Sequence, residues 1–374
     1  MSYDEISLPN EKQRAPRPKR SVAVGICIVV FIIGLAAWLN FVLHGDTPRA
    51  WRALLTNFVF FTPLAAGMIV WPAVAIISQG LWARSIERSA FGALAFAPLT
   101  IIALIALWYS NPYWAVLWVN KPTELLKIWL NPAFLFGRDI AALVILWVLA
   151  AVFAARARRQ LPTVLGGWLS FAYAIVFTLL GFDLVMSLDP RWFSTLFGWY
   201  FFMSGMYAAL AAWTITVIFG KTATVEQLHD LGKLIVAVSL VTTYMMFSQL
   251  LPIWYENLPQ EVRFVIPRLR ISNWRYVSTG LLATVYLGPL VLLLTRWSKR
   301  TPAFLAAISF LVLAGLWVER WWLVTPTLGG ELSFGLTEIS ITAVFAAAFT
   351  ICLTHFGQTP PLANGYDKEA ADGQ

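Results

Sequence analysis

The chain has 374 residues, of which 59% are hydrophobic and only 12% are charged, and its formal net charge is +8. A soluble domain of average composition has about twice this charged fraction, so the composition excludes an ordinary soluble enzyme. The apolar residues are spread evenly along the chain, and they therefore indicate one polytopic membrane domain.

Ten long runs of the sequence contain no charged residue. A bilayer core of roughly 30 Å needs about 20 helical residues at about 1.5 Å each, so each run can hold one helix if it borrows flanking residues. The fourth run is the shortest, and its helix is expected to begin near Phe134. No run alternates in polarity as a barrel strand does, so we predict an all-α polytopic protein of about ten transmembrane helices. The runs are 21–43, 53–83, 89–120, 140–155, 160–182, 192–220, 234–255, 276–295, 301–318 and 339–366.

Basic residues orient these helices. If the N-terminus is cytoplasmic, 16 of the 27 Lys and Arg residues lie inside, and 11 lie outside, mostly in segments 110–138 and 256–275. Long loops obey the positive-inside rule poorly, so we predict that both termini are cytoplasmic. The net positive charge then orients the chain and meets anionic lipid, and it does not indicate nucleic acid. The inside set is Lys12, Arg14, Arg17, Lys19, Arg20, Arg84, Arg88, Arg156, Arg158, Arg159, Lys221, Lys233, Arg296, Lys299, Arg300 and Lys368.

Three regions follow from this pattern. Residues 1–20 and 357–374 are polar and rich in Pro, Gly and charge, and they are predicted to be disordered cytoplasmic tails. Residues 21–356 form the predicted ten-helix domain. The first apolar run is longer than the core of a typical cleaved signal peptide, so we expect its helix to be retained.

Scarce residue types exclude several redox centres. The two cysteines, Cys27 and Cys352, are too few for an iron–sulfur cluster. The three histidines, His44, His229 and His355, lie at predicted helix ends or in loops, so they do not supply a facing intramembrane pair for a b-type haem. We therefore predict that this chain binds no haem and no metal, and that it contains no catalytic residue of its own.

Asp183 interrupts the fifth helix just short of its outer end, and Asp189 follows in the next turn. Ionisable groups are costly in hydrocarbon and are functional candidates by default. One hypothesis makes Asp183 a proton-relay carboxylate, because a low dielectric disfavours an unpaired charge. The alternative is structural, with Asp183 pairing with Arg191 or capping the turn before Trp192.

The cytoplasmic start of the seventh helix holds a second candidate. Thr224 and Gln227 have the spacing of a capping box, and His229 and Asp230 follow one turn later. A His–Asp pair can collect protons, since histidine titrates near neutrality. It can equally be a solvated helix start. Tyr244 and Ser248 lie four residues apart further along this helix, so they share a face and could extend a proton path towards Asp183.

The outer end of the seventh helix and the segment after it contain more polar residues and prolines than membrane anchoring requires. Gln249, Trp254, Tyr255 and Glu261 are candidates for contact with a quinone head group or a partner subunit. The alternative is that the polar side chains bond only to neighbouring helices.

Two further carboxyl groups lie at predicted helix ends. Glu319 closes the ninth helix beside Arg320, and it is a functional candidate as an ionisable group near the membrane, whereas the structural alternative is an interfacial ion pair in an aromatic belt. Glu338 opens the tenth helix and is expected to favour the N-terminal helix dipole.

Residues 244–261 read Tyr-Met-Met-Phe-Ser-Gln-Leu-Leu-Pro-Ile-Trp-Tyr-Glu-Asn-Leu-Pro-Gln-Glu. This stretch resembles the signature of the ActF-type membrane subunit of alternative complex III, a quinol:cytochrome c oxidoreductase. Residues 183–198 and the His-Asp-Leu-Gly-Lys of 229–233 are similar to two other elements of that family. A weaker match comprises Lys127, Leu130, Asn131, Phe134 and Arg138.

The resemblance implies ten helices in NrfD-like four-helix bundles, in the bacterial inner membrane. It implies partner subunits that carry haem c and iron–sulfur clusters, with a haem–copper oxidase as a further candidate partner. In that family the sister subunit ActC is the expected site of quinol oxidation, whereas ActF is expected to contribute a proton path. The implied role is thus an auxiliary subunit, with quinone as its candidate ligand.

Two other functions compete with this interpretation. A secondary transporter would have broken helices and charged groups at the membrane midplane, whereas this sequence keeps its charges near the ends of the runs. A structural or assembly subunit of a terminal oxidase is the third hypothesis.

The topology prediction can be tested by labelling. Because the charge distribution places both ends inside, single cysteines at Ser2 and Gly373 should resist a membrane-impermeant thiol reagent in intact cells and react after lysis. Labelling of either cysteine in intact cells would refute the predicted topology.

Overall fold

The computed structural model describes residues 20–110, 128–157, 161–189, 192–270, 273–328 and 332–356. Within these ranges every regular element is helical, and ten helices are long and apolar enough to cross a membrane. The predicted all-α polytopic fold is therefore confirmed. The predicted tails lie outside the described residues, apart from Arg20, which begins the first helix.

The ten spanning helices follow one another along the chain. They are α1 Arg20–His44, α2 Thr47–Ile77, α3 Arg88–Tyr109, α4 Pro132–Ala157, α5 Thr163–Leu184, α6 Phe197–Gly220, α7 Val225–Glu256, α8 Trp274–Leu292, α9 Pro302–Val324 and α10 Leu336–Phe356.

Two of these helices are composite. Helix α3 contains a 3₁₀ turn at Gly92–Phe96, and α8 contains a π-helical segment at Leu282–Leu287. Two further short helices are Pro259–Leu269 and Arg296–Arg300.

Contacts between helix ends show that successive spans alternate in direction. The side where α1 begins and α10 ends is called here the terminal side, and the other the far side. At the terminal side Gln227, in the first turn of α7, donates to the Trp82 carbonyl over 2.7 Å. At the far side Arg49, in the first turn of α2, reaches Glu338, in the first turn of α10. The sequence predicts that the terminal side is cytoplasmic.

Local sequence signals set several helix ends. The Asn131 side chain accepts hydrogen bonds from the backbone N–H groups of Ala133 and Phe134, so α4 begins at Pro132, close to the predicted start. Thr224 and Gln227 form the predicted capping box at the start of α7. Both predictions are confirmed.

Helix α2 lies at the centre of the bundle and is buried over almost all of its length, whereas α1 is mostly exposed. Side chains of neighbouring helices bond to backbone groups of the central helices. Tyr173 of α5 donates to the Pro63 carbonyl of α2 over 3.0 Å, and Trp71 of α2 donates to the Met206 carbonyl of α6 over 2.9 Å. These bonds hold α2, α5 and α6 together as one core.

The close approach of α6 to this core depends on Gly205. A Cβ atom added there would lie 2.7 Å from both Pro63 Cβ and Tyr173 Oη. Small residues of this kind let membrane helices pack closely in the absence of a hydrophobic driving force. Gly205 therefore fixes the distance between α2 and α6.

Replacing Gly205 by Ala should destabilise the protein by about 1–3 kcal/mol, because the new methyl group overpacks the core. The matched control is Gly167→Ala in α5, where an added Cβ meets no atom within 4 Å. There, higher helix propensity should leave stability equal or raised by up to about 1 kcal/mol. Thermal unfolding in detergent measures both, and equal stability of the two variants would contradict the packing argument.

Candidate functional site

Asp183 is buried near the far-side end of α5, with 1% of the residue exposed. Its carboxylate accepts a 2.9 Å hydrogen bond from Trp129 Nε1 and forms an ion pair with Arg138 Nη2 of α4. Arg191, the partner that the structural hypothesis named, lies outside the described residues. Asp183 is thus paired, and its partners come from α4 and the turn before it.

Asp139 is a second carboxyl group at the same place and is completely buried. Arg138 Nε lies 3.6 Å from Asp139 Oδ1, which is too far for a hydrogen bond. Within the described part of the chain, neither oxygen of Asp139 accepts a hydrogen bond from a donor group. Asp139 and Asp183 are close enough to interact directly, so one arginine serves two buried carboxyl groups.

Two aromatic rings hold the Arg138 guanidinium in position. Its Cζ atom lies 3.8 Å from the ring centre of Trp129 and 5.0 Å from that of Phe134. A cation over an aromatic face is stabilised by the ring quadrupole, and Trp129 also bonds to Asp183. Asn131 and Pro132 set the start of α4, with Trp129 just before it and Phe134 in its first turn. Residues close together in the sequence therefore form one side of the site.

The backbone beyond Asp183 ends the helix at this site. Ser187 Oγ donates to the Asp183 carbonyl, and the chain continues as a 3₁₀ turn at Met186–Leu188. Asp183 therefore lies where α5 gives way to the far-side connection.

The structure does not bring the predicted path residues together. His229 and Asp230 lie at the terminal side, where Asp230 forms a 2.6 Å ion pair with Lys233. Tyr244 is 69% exposed on the surface of α7, and Ser248 is half-buried. By contrast, Ser239 and Thr242 of α7 are polar side chains that are completely buried.

The candidate quinone or partner contacts lie at the far-side end of α7. Ser194 Oγ donates to Gln249 Oε1 over 3.3 Å, and Gln249 Nε2 donates to the Met245 carbonyl. Trp254 and Tyr255 are 74% and 81% exposed, whereas the Glu261 side chain lies outside the described residues. Gln249 therefore joins α7 to the segment before α6, and the two aromatic residues form an exposed rim.

Glu319 and Arg320 form the predicted ion pair, with Arg320 Nη1 3.2 Å from Glu319 Oε2. Both residues are at most 2% exposed, so the pair lies inside the bundle and not at an exposed rim. Glu338 also behaves as predicted for the first turn of α10: it accepts from the Gly335 N–H over 2.9 Å and pairs with Arg49.

Asp139, Tyr200 and Tyr286 are not among the site residues that the sequence predicts. For Asp139 a signal was present, because a helix that begins near Phe134 carries Arg138 and Asp139 into the membrane region. Tyr200 and Tyr286 are two of 11 tyrosines, and nothing in their local sequence marks them. Their 2.6 Å contact is created by helix packing.

Within the described ranges, no group of three or more His, Cys, Asp and Glu side chains is arranged to hold a metal ion. Cys27 is half-buried and Cys352 is buried, and neither is in a disulfide.

Glu87 lies at the terminal side, directly before the start of α3. The residue is only 5% exposed. Burial raises the pKa of its carboxyl group to about 7, and the positive charges of Arg84 and Arg88 oppose this rise. Gln227 Nε2 donates to Ser85 Oγ over 2.6 Å, so the segment that holds Glu87 is tied to the start of α7. A group that titrates near neutrality therefore lies on the side that carries His229.

Comparison of the sequence with protein-family models gives no match. Comparison with curated proteins gives no match either.

Glu87 should make the stability of the protein depend on pH. Its folded pKa of about 7 lies above the ordinary value of 4.5, so between these values the folded state holds the proton more tightly than the unfolded state. Stability therefore falls as the pH rises through this window and stays lower above it. The loss should amount to about 1–3 kcal/mol, given about 1.4 kcal/mol per pKa unit and residual solvent screening.

Thermal unfolding at pH values below and above this window measures the effect, and Glu87→Gln should remove that loss. Glu226→Gln, at an exposed carboxyl group in the first turn of α7, is the control and should retain the wild-type slope. Equal slopes in the wild type and Glu87→Gln would refute the assignment.

Proposed function

We propose that the chain is an integral membrane subunit of a respiratory quinol:cytochrome c oxidoreductase of the alternative complex III type, and that it provides a proton path. The resemblance of residues 183–198, 229–233 and 244–261 to the ActF-type subunit supports the assignment to this class of complex. The ten membrane-spanning helices are compatible with it. Haem c and iron–sulfur clusters would belong to partner subunits, in the bacterial inner membrane.

The observation that most directly supports a proton path is the ratio of charges around Arg138. Two buried carboxyl groups, Asp139 and Asp183, share one guanidinium group. Two carboxylates would leave a net negative charge in a region of low dielectric, which is strongly disfavoured. One proton held between the two groups restores neutrality and gives Asp139 the hydrogen bond that it otherwise lacks. The cluster is thus suited to hold one exchangeable proton.

The position of the cluster gives this proton a way out to the far side. Arg138 is partly exposed, with 17% of its side chain accessible, and Trp129 is 42% exposed. Release at this rim would need only a short movement of Trp129, which closes the site by its bond to Asp183. Arg138 keeps Asp183 neutralised while the Asp139 proton leaves.

Uptake would begin at the terminal side, where Glu87, His229 and Asp230 are the titratable candidates. The side chains of Ser239 and Thr242 continue along the buried face of α7. This face replaces the exposed Tyr244 as the candidate route through the middle of the membrane. Water would have to complete the path, as in other wet polar sites.

A secondary transporter is the second candidate, because the π-helical segment of α8 interrupts a spanning helix. Transporter sites are built at such discontinuities near the bilayer midplane. Here, Asp183 lies at the far-side end of α5, and Asp139 and Glu319 lie within about two turns of the far-side ends of α4 and α9. This placement favours a role in moving protons at the far side over a central substrate site.

Asp139→Asn and Asp183→Asn test the proposal in the assembled complex. Each leaves Arg138 with one carboxylate, so the pair becomes neutral without a proton, and proton release per electron should fall. Quinol-driven turnover should decrease by roughly a hundredfold, the lower end of the contribution of a positioned proton-transfer group. Subunit yield should be largely retained.

Two controls separate this role from a structural one. Glu226→Gln changes an exposed carboxyl group in the first turn of α7 and should leave turnover and yield unchanged. Arg138→Gln leaves both carboxyl groups without their cation and should lower the yield, since breaking a buried ion pair costs about 3–5 kcal/mol. Normal proton release per electron in stable Asp139→Asn and Asp183→Asn complexes would overturn the proposal.

A further inference from the structure

A second buried ionisable cluster joins α6, α8 and α9. It consists of Glu319 and Arg320 of α9, Tyr200 of α6 and Tyr286 of α8, each at most 3% exposed. Tyr200 donates a short hydrogen bond to Glu319 Oε1, and the hydroxyl oxygens of Tyr200 and Tyr286 are 2.6 Å apart. Three oxygen atoms therefore form a continuous chain that ends at a carboxylate.

With Glu319 as a carboxylate, the directions of these hydrogen bonds follow from the number of protons that each hydroxyl group holds. Tyr200 has one hydroxyl proton, and it is given to Glu319. The bond between the two tyrosines must then be donated by Tyr286. Short O–H···O contacts are typical of hydrogen bonds to an ionised acceptor, so the chain is polarised towards an ionised Glu319.

The π-helical segment of α8 places Tyr286 in this chain. Such segments are rare and occur frequently at functional sites. Tyr207 donates to the Val285 carbonyl over 3.2 Å, and Ser239 donates to the Tyr286 carbonyl over 3.0 Å. A Cβ atom added at Gly315 of α9 would clash with the Val285 side chain of α8. Because Gly315 has no side chain, α8 approaches α9 closely enough for Tyr286 to enter the cluster.

Arg320 does not depend on Glu319 for its hydrogen bonds. Its Nη2 atom donates to the Phe201 carbonyl over 3.2 Å and to Ser204 Oγ, and its Cζ lies 4.2 Å from the Phe201 ring centre. Only Nη1 faces Glu319, at 3.2 and 3.3 Å. Adjacent helix residues do not face each other, which explains this loose pairing. Arg320 would thus keep its other partners if Glu319 became neutral.

We propose that Glu319 is a second exchangeable-proton site, loaded and unloaded through the hydroxyl groups of Tyr200 and Tyr286. In loading, a hydronium ion gives a proton to Tyr286 Oη and leaves as water. The Tyr286 proton moves to Tyr200 Oη, and the Tyr200 proton moves to Glu319 Oε1. Both tyrosines end with one proton each, the hydrogen bonds reverse direction, and unloading follows the same steps backwards.

The titratable and charged groups that face Glu319 come from three helices. They are Arg320 on its own helix, Tyr200 on α6 and Tyr286 on α8. Tyr207 faces Tyr286 from α6. Asp139 and Asp183 are held by α4 and α5, so this site stands independently of the function proposed above and of any quinol-oxidising complex.

The experiment measures the infrared carboxyl C=O stretch of the full chain in lipid nanodiscs as the pH is lowered. The wild type should gain a protonated-carboxyl band that shifts in heavy water. Glu319→Gln should lack this band, Glu319→Asp should retain it at a changed frequency, and Asp183→Asn should leave it in place. The last variant distinguishes failure of this site from failure of the Asp139–Asp183 proposal.

A pH-jump version tests the relay. Tyr200→Phe and Tyr286→Phe should slow the appearance of the band by roughly a hundredfold, since each removes a positioned proton-transfer group. Tyr207→Phe is the matched control and should not change the rate, because Tyr207 donates to a backbone carbonyl. In the titration, the proposal is overturned if the wild type shows no band, or if Glu319→Gln and Glu319→Asp leave the band unaltered. In the pH jump, it is overturned if Tyr200→Phe and Tyr286→Phe both leave the rate unchanged.

Discussion

The structure depends on how the bundle keeps ionisable side chains out of contact with hydrocarbon. Three buried charges are held by groups from another helix: Asp183 by Arg138, Glu319 by Tyr200, and Arg320 by Ser204. Because an uncompensated charge in this environment is very unfavourable, these contacts fix which helices must be neighbours. The same contacts form the two clusters that we propose as proton sites, so the residues that stabilise the bundle are also those to which we assign the chemistry.

The two clusters differ in their balance of charge. At Asp139 and Asp183 the carboxyl groups outnumber the guanidinium group, and neutrality requires a bound proton. At Glu319 the carboxylate and Arg320 balance each other, and the tyrosine hydroxyls add a route for a proton without adding charge. The first cluster is therefore suited to hold a proton at rest, whereas the second is suited to accept one temporarily.

Local signals in the sequence predicted much of the fold but little of either cluster. The start of α4, the capping box before α7 and the role of Glu338 depend on residues close together in the chain, and all three predictions are confirmed. The pairing of Asp183 with Arg138 joins residues 45 positions apart, and the Tyr200–Glu319 bond depends on how two helices cross. Pro289, just after the π-helical segment, lacks the N–H that would bond the Val285 carbonyl, but this local signal does not show that Tyr286 meets Tyr200 and Glu319. The outward direction of Tyr244 likewise follows from which face of α7 the bundle covers.

The neighbour of α1 has a consequence for how the protein is made. Helix α1 packs chiefly on α10, where Gly34 lies against the Ser340 carbonyl, and Arg49 just beyond α1 is clamped to Glu338. Among the described spanning helices, α1 is synthesised first and α10 last. Helix α1 therefore remains exposed to lipid until α10 has been synthesised and inserted. Its exposed apolar side chains are compatible with this environment.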